Sequence, residues 1–248
     1  MNFIGNHKIK LNVTASTNSS LKEMVRNLSL PEGTLLSTDC QTNGKGQMDS
    51  AWISEKLKNF TGTYLLKPGL DLKNSFVIQL ITSLAVKSVV EDYVCCEKSV
   101  KIKWPNDILI DSKKIAGILV ENQINSEKVI NSFIGIGVNI NQTSFPSFKR
   151  EVTSIRLETN KNVIIDDFAD NLSTHIQQFY MLYKTKGDKP LFDLYLDSLY
   201  LNKEWAYFLI PNKVELMIKG INKNGMLILE DKQSNIFSFG IKEIEFLA

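Results

Sequence analysis

The stretch KWPNDILIDSKKIAGILVE, Lys103–Glu121, holds two β-rich runs joined by a polar DSKK turn. Proline's fixed φ and missing N–H end the strand that leads to Trp104 and aim Asn106 and Asp107. By spacing alone, Pro-Asn-Asp is a strand-end turn. A hairpin through DILIDSKK, however, brings Lys114 alongside Asp107, and a carboxylate, a lysine and Gly117 in one neighbourhood suggest a charged site. Gly117 lacks a side chain where a strand packs, which points to another backbone or a ligand approaching closely.

Outward from this stretch, SVKIKW precedes it and VINSFIGIGVNI follows, giving consecutive, mostly antiparallel strands. GIGVNIN, Gly135–Asn141, repeats the glycine signature on the next strand. Two neighbouring glycine-bearing strands make the floor of a ligand slot, or else a tight strand-to-helix contact or a bulge. Nearer the N-terminus, KIKLNV alternates like a half-buried strand, and TASTNSSLKEMVRNL offers Ser and Thr caps ahead of a helix. GTLLSTDC and GTYLLKP read as strands, so QTNGKGQMDSAW, Gln41–Trp52, is a loop between them. That loop has many backbone N–H groups, one ammonium at Lys45 and a flat surface at Trp52, which suit phosphate and a nucleobase. It is neither GxxxxGK[ST] nor a GxGxxG opening a helix, and a surface loop whose tryptophan packs inward is the competing reading.

From Ser75 to Tyr93, Val77, Leu80, Ile81, Leu84 and Ala85 recur at amphipathic-helix spacing. Ile165, Phe168, Ala169, Leu172, Ile176 and Phe179 mark a second long helix, and PLFDLYLDSLY a third. Strands and helices mix irregularly, which predicts an α+β fold with a mixed, largely antiparallel sheet and packed helices. After NKEW, the runs KVELMIKGI, NKNGMLILE, NIFSFG and EIEFLA predict four short strands with Asn-Gly and Gly turns. The expected division is therefore residues 1–201 and a small C-terminal β-barrel-like domain, residues 202–248, leaning on its neighbour.

Composition removes several classes. Among 248 residues, 29 Lys and Arg against 27 Asp and Glu are too near balance for a general nucleic-acid or membrane surface. No segment reaches the roughly 18 apolar residues of a membrane span. The N-terminus lacks a secretory h-region, and Cys40, Cys95 and Cys96 form no CxxC pair or disulfide framework, so a cytoplasmic, reduced protein is expected. His7 and His175 lie too far apart to suggest a metal cage, and no GxSxG elbow is present.

Taken in order, STN (Ser16–Asn18), QTNGKG with Trp52, KWPNDILI with KKIAGILVE, and GIGVNIN resemble the biotin protein ligases, or biotin–[acetyl-CoA-carboxylase] ligases, over essentially the whole chain. The resemblance implies a class II synthetase-like biotinyl/lipoyl ligase catalytic domain with an SH3-like C-terminal barrel. It also implies a two-step reaction. Biotin and Mg·ATP give biotinyl-5′-AMP and pyrophosphate, and a lysine of a biotin carboxyl carrier protein then takes the biotinyl group.

By the same resemblance, Lys114 is the central catalytic lysine, acting electrostatically, and Asp107 lies at the reacting centre, supported by Asn106. Ser16, Thr17, Asn18 and Gln41 serve biotin's polar head, while Gly117, Leu119 and Gly135 line the slot for its ring and tail. Gly44, Lys45, Gly46, Gln47 and Trp52 serve phosphate and adenine, with Asn139 on the adenylate side. Mg2+ enters with ATP, its protein ligands unassigned.

Two departures from the family pattern GRGRRGxxW stand out. Lys45 and Gln47 replace arginines and Asp49 a glycine, so phosphate grip is expected to be weaker and the loop to order around ligand. The STN segment begins at residue 16, which leaves no room in this sequence for the winged helix that some of these ligases carry, and no operator binding is expected. A homodimer through an exposed sheet edge is compatible with the family. The rival readings are a lipoate ligase, which lacks the KWPND combination, and a non-catalytic module that sequesters biotin or its adenylate.

Overall fold

The computed structural model describes residues 3–47, 50–147 and 150–247. Among these, the strands are β1 (Lys8–Leu11), β2 (Leu35–Thr38), β3 (Phe60–Leu66), β4 (Leu70–Asp71), β5 (Val100–Lys103), β6 (Asp107–Ile110), β7 (Lys113–Asn125), β8 (Lys128–Val138), β9 (Trp205–Ile210), β10 (Asn212–Ile221), β11 (Leu227–Glu230), β12 (Ile236–Phe239) and β13 (Glu245–Phe246). The α-helices are α1 (Thr17–Asn27), α2 (Phe76–Tyr93), α3 (Ile155–Thr159), α4 (Ile165–Lys186) and α5 (Lys189–Ser198).

Strands β1 to β8 form one sheet in the order β1-β2-β3-β8-β7-β6-β5, with β4 paired to β8. β1 runs parallel to β2 and the other pairs are antiparallel, so the sheet is mixed and the fold is α+β, as its sequence predicts.

Period-two alternation divides the sheet into two faces. Ile134, Ile136 and Val138 on β8, with Ala116 and Ile118 on β7, enter the main core. Phe133 faces the other way and joins Leu21, Leu30, Leu36 and Leu65 in a smaller core beneath α1. Gly135 and Gly137 share that second face, so beyond the small core it carries no bulky side chains along β8.

Helix α2 departs from its predicted amphipathic pattern. It is buried on nearly every side, from Val77 through Val90, because it lies on the sheet with α4 and α5 packed against it. Its polar positions are satisfied within the helix: Gln79 donates to Ser83 Oγ at 2.9 Å and Thr82 to the Ile78 carbonyl at 2.6 Å.

The C-terminal sheet is ordered β12-β11-β10-β9-β13. The sequence reading misses β9, because WAYFLI starts on the tryptophan that ends NKEW and only Pro211 separates it from β10. Its inward side chains Ala206, Phe208, Leu216, Ile218, Leu227, Leu229 and Phe246 belong to the same core as the helices. The KWPND segment anchors this packing: the buried Trp104 donates from Nε1 to the Gly225 carbonyl at 2.9 Å.

Gly225 has φ +81°, and a Cβ there would overlap the Phe76 ring. Gly225→Ala is therefore expected to destabilise the chain by about 2–3 kcal/mol through backbone strain and overpacking. Urea denaturation would measure it, and an unchanged midpoint would show that the C-terminal sheet packs independently of this contact.

Candidate active site

The slot is floored by backbone. β7 and β8 place Gly117 opposite Gly137 and Leu119 opposite Gly135. The Trp52 indole lies on this floor: a Cβ on Gly137 would overlap the ring, and one on Gly117 would stand 3.2 Å from Trp52 Cζ3. Trp52 Nε1 is buried and has no hydrogen-bond partner among the described residues. Trp52 thus packs inward, onto the same glycines the resemblance assigns to the biotin ring and tail.

Lys114 Nζ is 2.6 Å from Asp107 Oδ1, and both side chains are partly buried. Asp107 pairs in register with Gly117, yet Lys114 and Gly117 are three residues apart and would face opposite ways in a regular strand. A β-bulge resolves this: between Ile108 and Leu109 on β6 the partners jump from Ala116 to Lys114, leaving Ile115 unpaired. The bulge turns the Lys114 ammonium onto the glycine face, where it also lies 5.9 Å from the Trp52 ring centroid.

Asn106 holds the turn before Asp107, its carbonyl accepting from Ile118 N at 3.0 Å and its amide donating to Ile118 O at 2.8 Å. From the other side, Lys114 N donates to Glu151 O and Lys114 O accepts from Thr153 N, each at 2.9 Å. A strap through Val152 therefore fixes the lysine's backbone.

The opposite end is polar. Ser16 and Thr17 begin α1, but Ser16 makes no side-chain cap, contrary to the sequence expectation. Gln41 supplies it instead, its Oε1 accepting from Thr17 N at 2.9 Å and Thr17 Oγ1 at 3.2 Å. With Oε1 committed, Gln41 Nε2 is a donor available to the slot. Asn18 is held by Thr63, whose hydroxyl donates to its Oδ1 at 2.6 Å, and it donates from Nδ2 to Glu121 at 2.7 Å. Asn18 also explains Gly135, where a Cβ would sit 2.5 Å from Asn18 Oδ1.

In the Gln41–Trp52 loop, residues 44–46 pair with residues 50–52. Lys45 bridges Ala51, Gly46 N donates to Ser50 O at 2.6 Å and Trp52 N to Gly44 O at 2.9 Å. Gly44 is buried behind the tryptophan, while Lys45, Gly46 and Gln47 line the slot. Asp49, with its expected effect on phosphate grip, lies outside the described residues.

These elements enclose a cavity of about 230 Å³, which also meets Ser16, Thr17, Asn18, Gln41, Asn106, Asp107, Lys114, Leu119 and Gly135. Asn139 is not brought there: it is buried, and its amide donates to Thr153 O at 3.0 Å, holding the strap. Thr61, Thr63, Glu121 and Gly137 were missed, although alternation along β3, β7 and β8 puts each on the slot face. The arrangement can surround an anion with Lys114, Lys45 and loop N–H groups, and meet a neutral polar group with Ser16 and Gln41.

Lys103, in register with Asp107, lies 5.2 Å from the Phe246 ring centroid. Burial, aided by Arg150 and Lys114, pushes its pKa down to about 8, against the pull of Asp107 and Glu245. Between pH 8 and its ordinary value near 10.5 the unfolded chain binds the extra proton, so stability from this group rises with pH across that window. Lys103→Met should abolish that rise, read as the difference between wild-type and variant unfolding free energies against pH. Gly137→Ala should lift Trp52 off its floor, seen as a red-shifted emission that Trp52→Phe removes, with far-UV circular dichroism unchanged.

The profile of the biotin/lipoate A/B protein ligase family matches residues 11–139. The chain is 30% identical over 245 residues to the bifunctional ligase/repressor BirA of Bacillus subtilis, covering 97% of this chain and 73% of that protein. It is 28% identical over 214 residues to the chloroplastic biotin–protein ligase 1 of Arabidopsis thaliana, covering 80% and 56%. Its fold matches the Aquifex aeolicus biotin protein ligase solved in complex with biotin and ATP, with TM-score 0.79, 24% identity and 97% and 98% coverage. With the profile spanning more than half of the chain and a relative matched along nearly all of it, this protein belongs to the biotin/lipoate A/B protein ligase family.

Proposed function

We propose that the chain is an ATP-dependent biotin–protein ligase, which activates biotin as biotinyl-5′-AMP and transfers it to a lysine of a biotin carboxyl carrier protein domain. The observation that carries the reading is the Lys114–Asp107 pair beside a glycine-floored slot, in a chain similar to a plant protein named biotin–protein ligase and to a solved biotin protein ligase.

In the first step a biotin carboxylate oxygen attacks the α-phosphorus of Mg·ATP and the bond to pyrophosphate breaks. Two anions must meet, so a cation between them lowers the barrier. Lys114 supplies it, exchanging part of its Asp107 contact for the carboxylate and α-phosphoryl oxygens. Lys45 and the loop backbone at Gly44 and Gln47 bind phosphates, with Gly46 N–H holding the hairpin to Ser50, and Trp52 covers the slot against water. Lys45 offers charge without a bidentate fork, so it retains the adenylate less tightly than an arginine would. Ser16, Thr17, Asn18 and Gln41 form the end that takes the ureido head, and Gly117, Leu119 and Gly135 the walls beyond it.

In the second step the acceptor amine attacks the acyl carbon and AMP leaves with the bonding electrons. Asp107, aimed by Asn106, is the carboxylate placed to orient that amine and receive its hydrogen bond. Mg2+ arrives as part of the nucleotide; among the described residues no cluster of three His, Cys, Asp or Glu side chains could hold a metal ion. Likewise, no helix there is long and apolar enough to cross a membrane. We also propose residues 1–201 as the catalytic domain and 202–248 as an SH3-like barrel, supported by the separate β9–β13 sheet.

Biotin-dependent exchange between pyrophosphate and ATP, followed by transfer of labelled biotin to a carrier domain, is the expected behaviour. Exchange with lipoate alone would replace the reading by the lipoate one. Lys114→Ala should slow exchange by about 10²–10³-fold while leaving the fold intact, the usual loss for one transition-state partner.

A further inference from the structure

Glu121 closes the motif that begins at Lys103, and no step above uses it. It lies on the slot face of β7, four residues beyond Gly117, or about 13 Å further along the strand by its rise. Its two carboxylate oxygens are divided between two residues one turn apart on α1. Oε2 accepts from Asn18 Nδ2 at 2.7 Å, and Oε1 accepts from Lys22 Nζ at 2.5 Å. Asn18 Oδ1 accepts from Thr63, whose hydroxyl is also 2.8 Å from Thr17 Oγ1, and Thr17 holds Gln41. An unbroken hydrogen-bonded chain thus runs from the outer face of α1 to the polar end of the slot.

We propose that Glu121 is a positioning residue for the acid substrate: it clamps the first turn of α1 to β7 and so sets where Ser16, Thr17 and Gln41 meet the substrate's polar head.

Three observations support this. The α1 N-terminus has no side-chain cap of its own from Ser16, so its placement depends on groups outside the helix. Gly135 lets Asn18 lie against the sheet, at a distance where any side chain would force the helix away. A carboxylate only accepts, so it holds Asn18 with its NH2 toward β7 and its oxygen toward Thr63. The charged groups facing Glu121 are Lys22 on α1 and Lys45 in the loop. Burial pushes its carboxyl up, but the hydrogen bonds from Lys22 and Asn18, with Lys45, outweigh burial and keep it ionised below the usual carboxylate range.

The inference rests on the biotin ligase reading, and steady-state kinetics of pyrophosphate exchange separate the two. Glu121→Ala should raise the KM for biotin about ten- to hundredfold, the loss of a charged hydrogen bond, with kcat and the KM for ATP within about twofold of wild type. Glu121→Gln, which keeps an acceptor for Asn18, should recover most of the loss, and Glu121→Ala should add little in an Asn18→Ala background. The proposal is overturned if Glu121→Ala leaves the biotin KM within about twofold, raises both KM values alike, or adds fully to Asn18→Ala. Should Glu121→Ala not fold, Lys22→Met decides: a severalfold rise confined to biotin supports the clamp, and none overturns it. If wild type exchanges only with another carboxylic acid, the ligase reading fails, and the same variants assayed with that acid still decide the role of Glu121.

Discussion

The contact on which the site depends is the pairing of Gly117 with Gly137 across β7 and β8. Two opposed residues without side chains leave a bare patch of backbone in the middle of the sheet, and an indole packs upon it. The opposite face of the same strands is filled by Ile118, Ile136 and Val138 against a helix layer. Alternation makes this possible, because one strand can be densely packed on one side and empty on the other. A side chain at Gly137 would overlap the indole and lift it from this floor.

Charge is placed on this floor by a second backbone feature. The bulge at Ile115 lets Lys114 share a face with Asp107, and Asn106 and the 150–155 strap hold both backbones still. At an effective dielectric near 20, two unit charges 4 Å apart attract by about 4 kcal/mol, and a ligand anion at similar distance would gain about as much. Exchange of Asp107 for a ligand anion on Lys114 is therefore close to balanced, as the role proposed for this lysine requires. The hydrogen-bonded polar end works differently: Asn18 is locked by Thr63, Glu121 and the Leu119 carbonyl, and Gln41, held through its Oε1, keeps its Nε2 as a donor.

Much of this was legible along the chain. β-rich runs, turn residues and helical spacing locate the long elements, where local propensity and packing agree, while the short β4 and α3 carry no such signal. The exceptions have local causes. β9 is hidden because WAYFLI overlaps NKEW at Trp205 and joins β10 through Pro211 alone. α2 was read as amphipathic because its apolar spacing is regular, whereas burial by α4 and α5 covers its other side. Among site residues, Asn139 lies behind the strap, its amide donating to Thr153 O, a contact that no motif spacing shows.

The order of chemical groups along the chain was determined by the sequence itself: a lysine returning beside an aspartate after a hairpin, glycines on neighbouring strands, and a glycine-lysine loop ending in tryptophan. Which of them meet was decided by the tertiary structure. A one-residue bulge selects the face of Lys114, strand register sets Gly117 against Gly137, and helix-to-sheet packing brings Asn18 to Glu121. The physical reason is that side-chain direction reverses with every residue of a strand. Faces and long-range partners therefore depend on register, which arises only when distant segments pair.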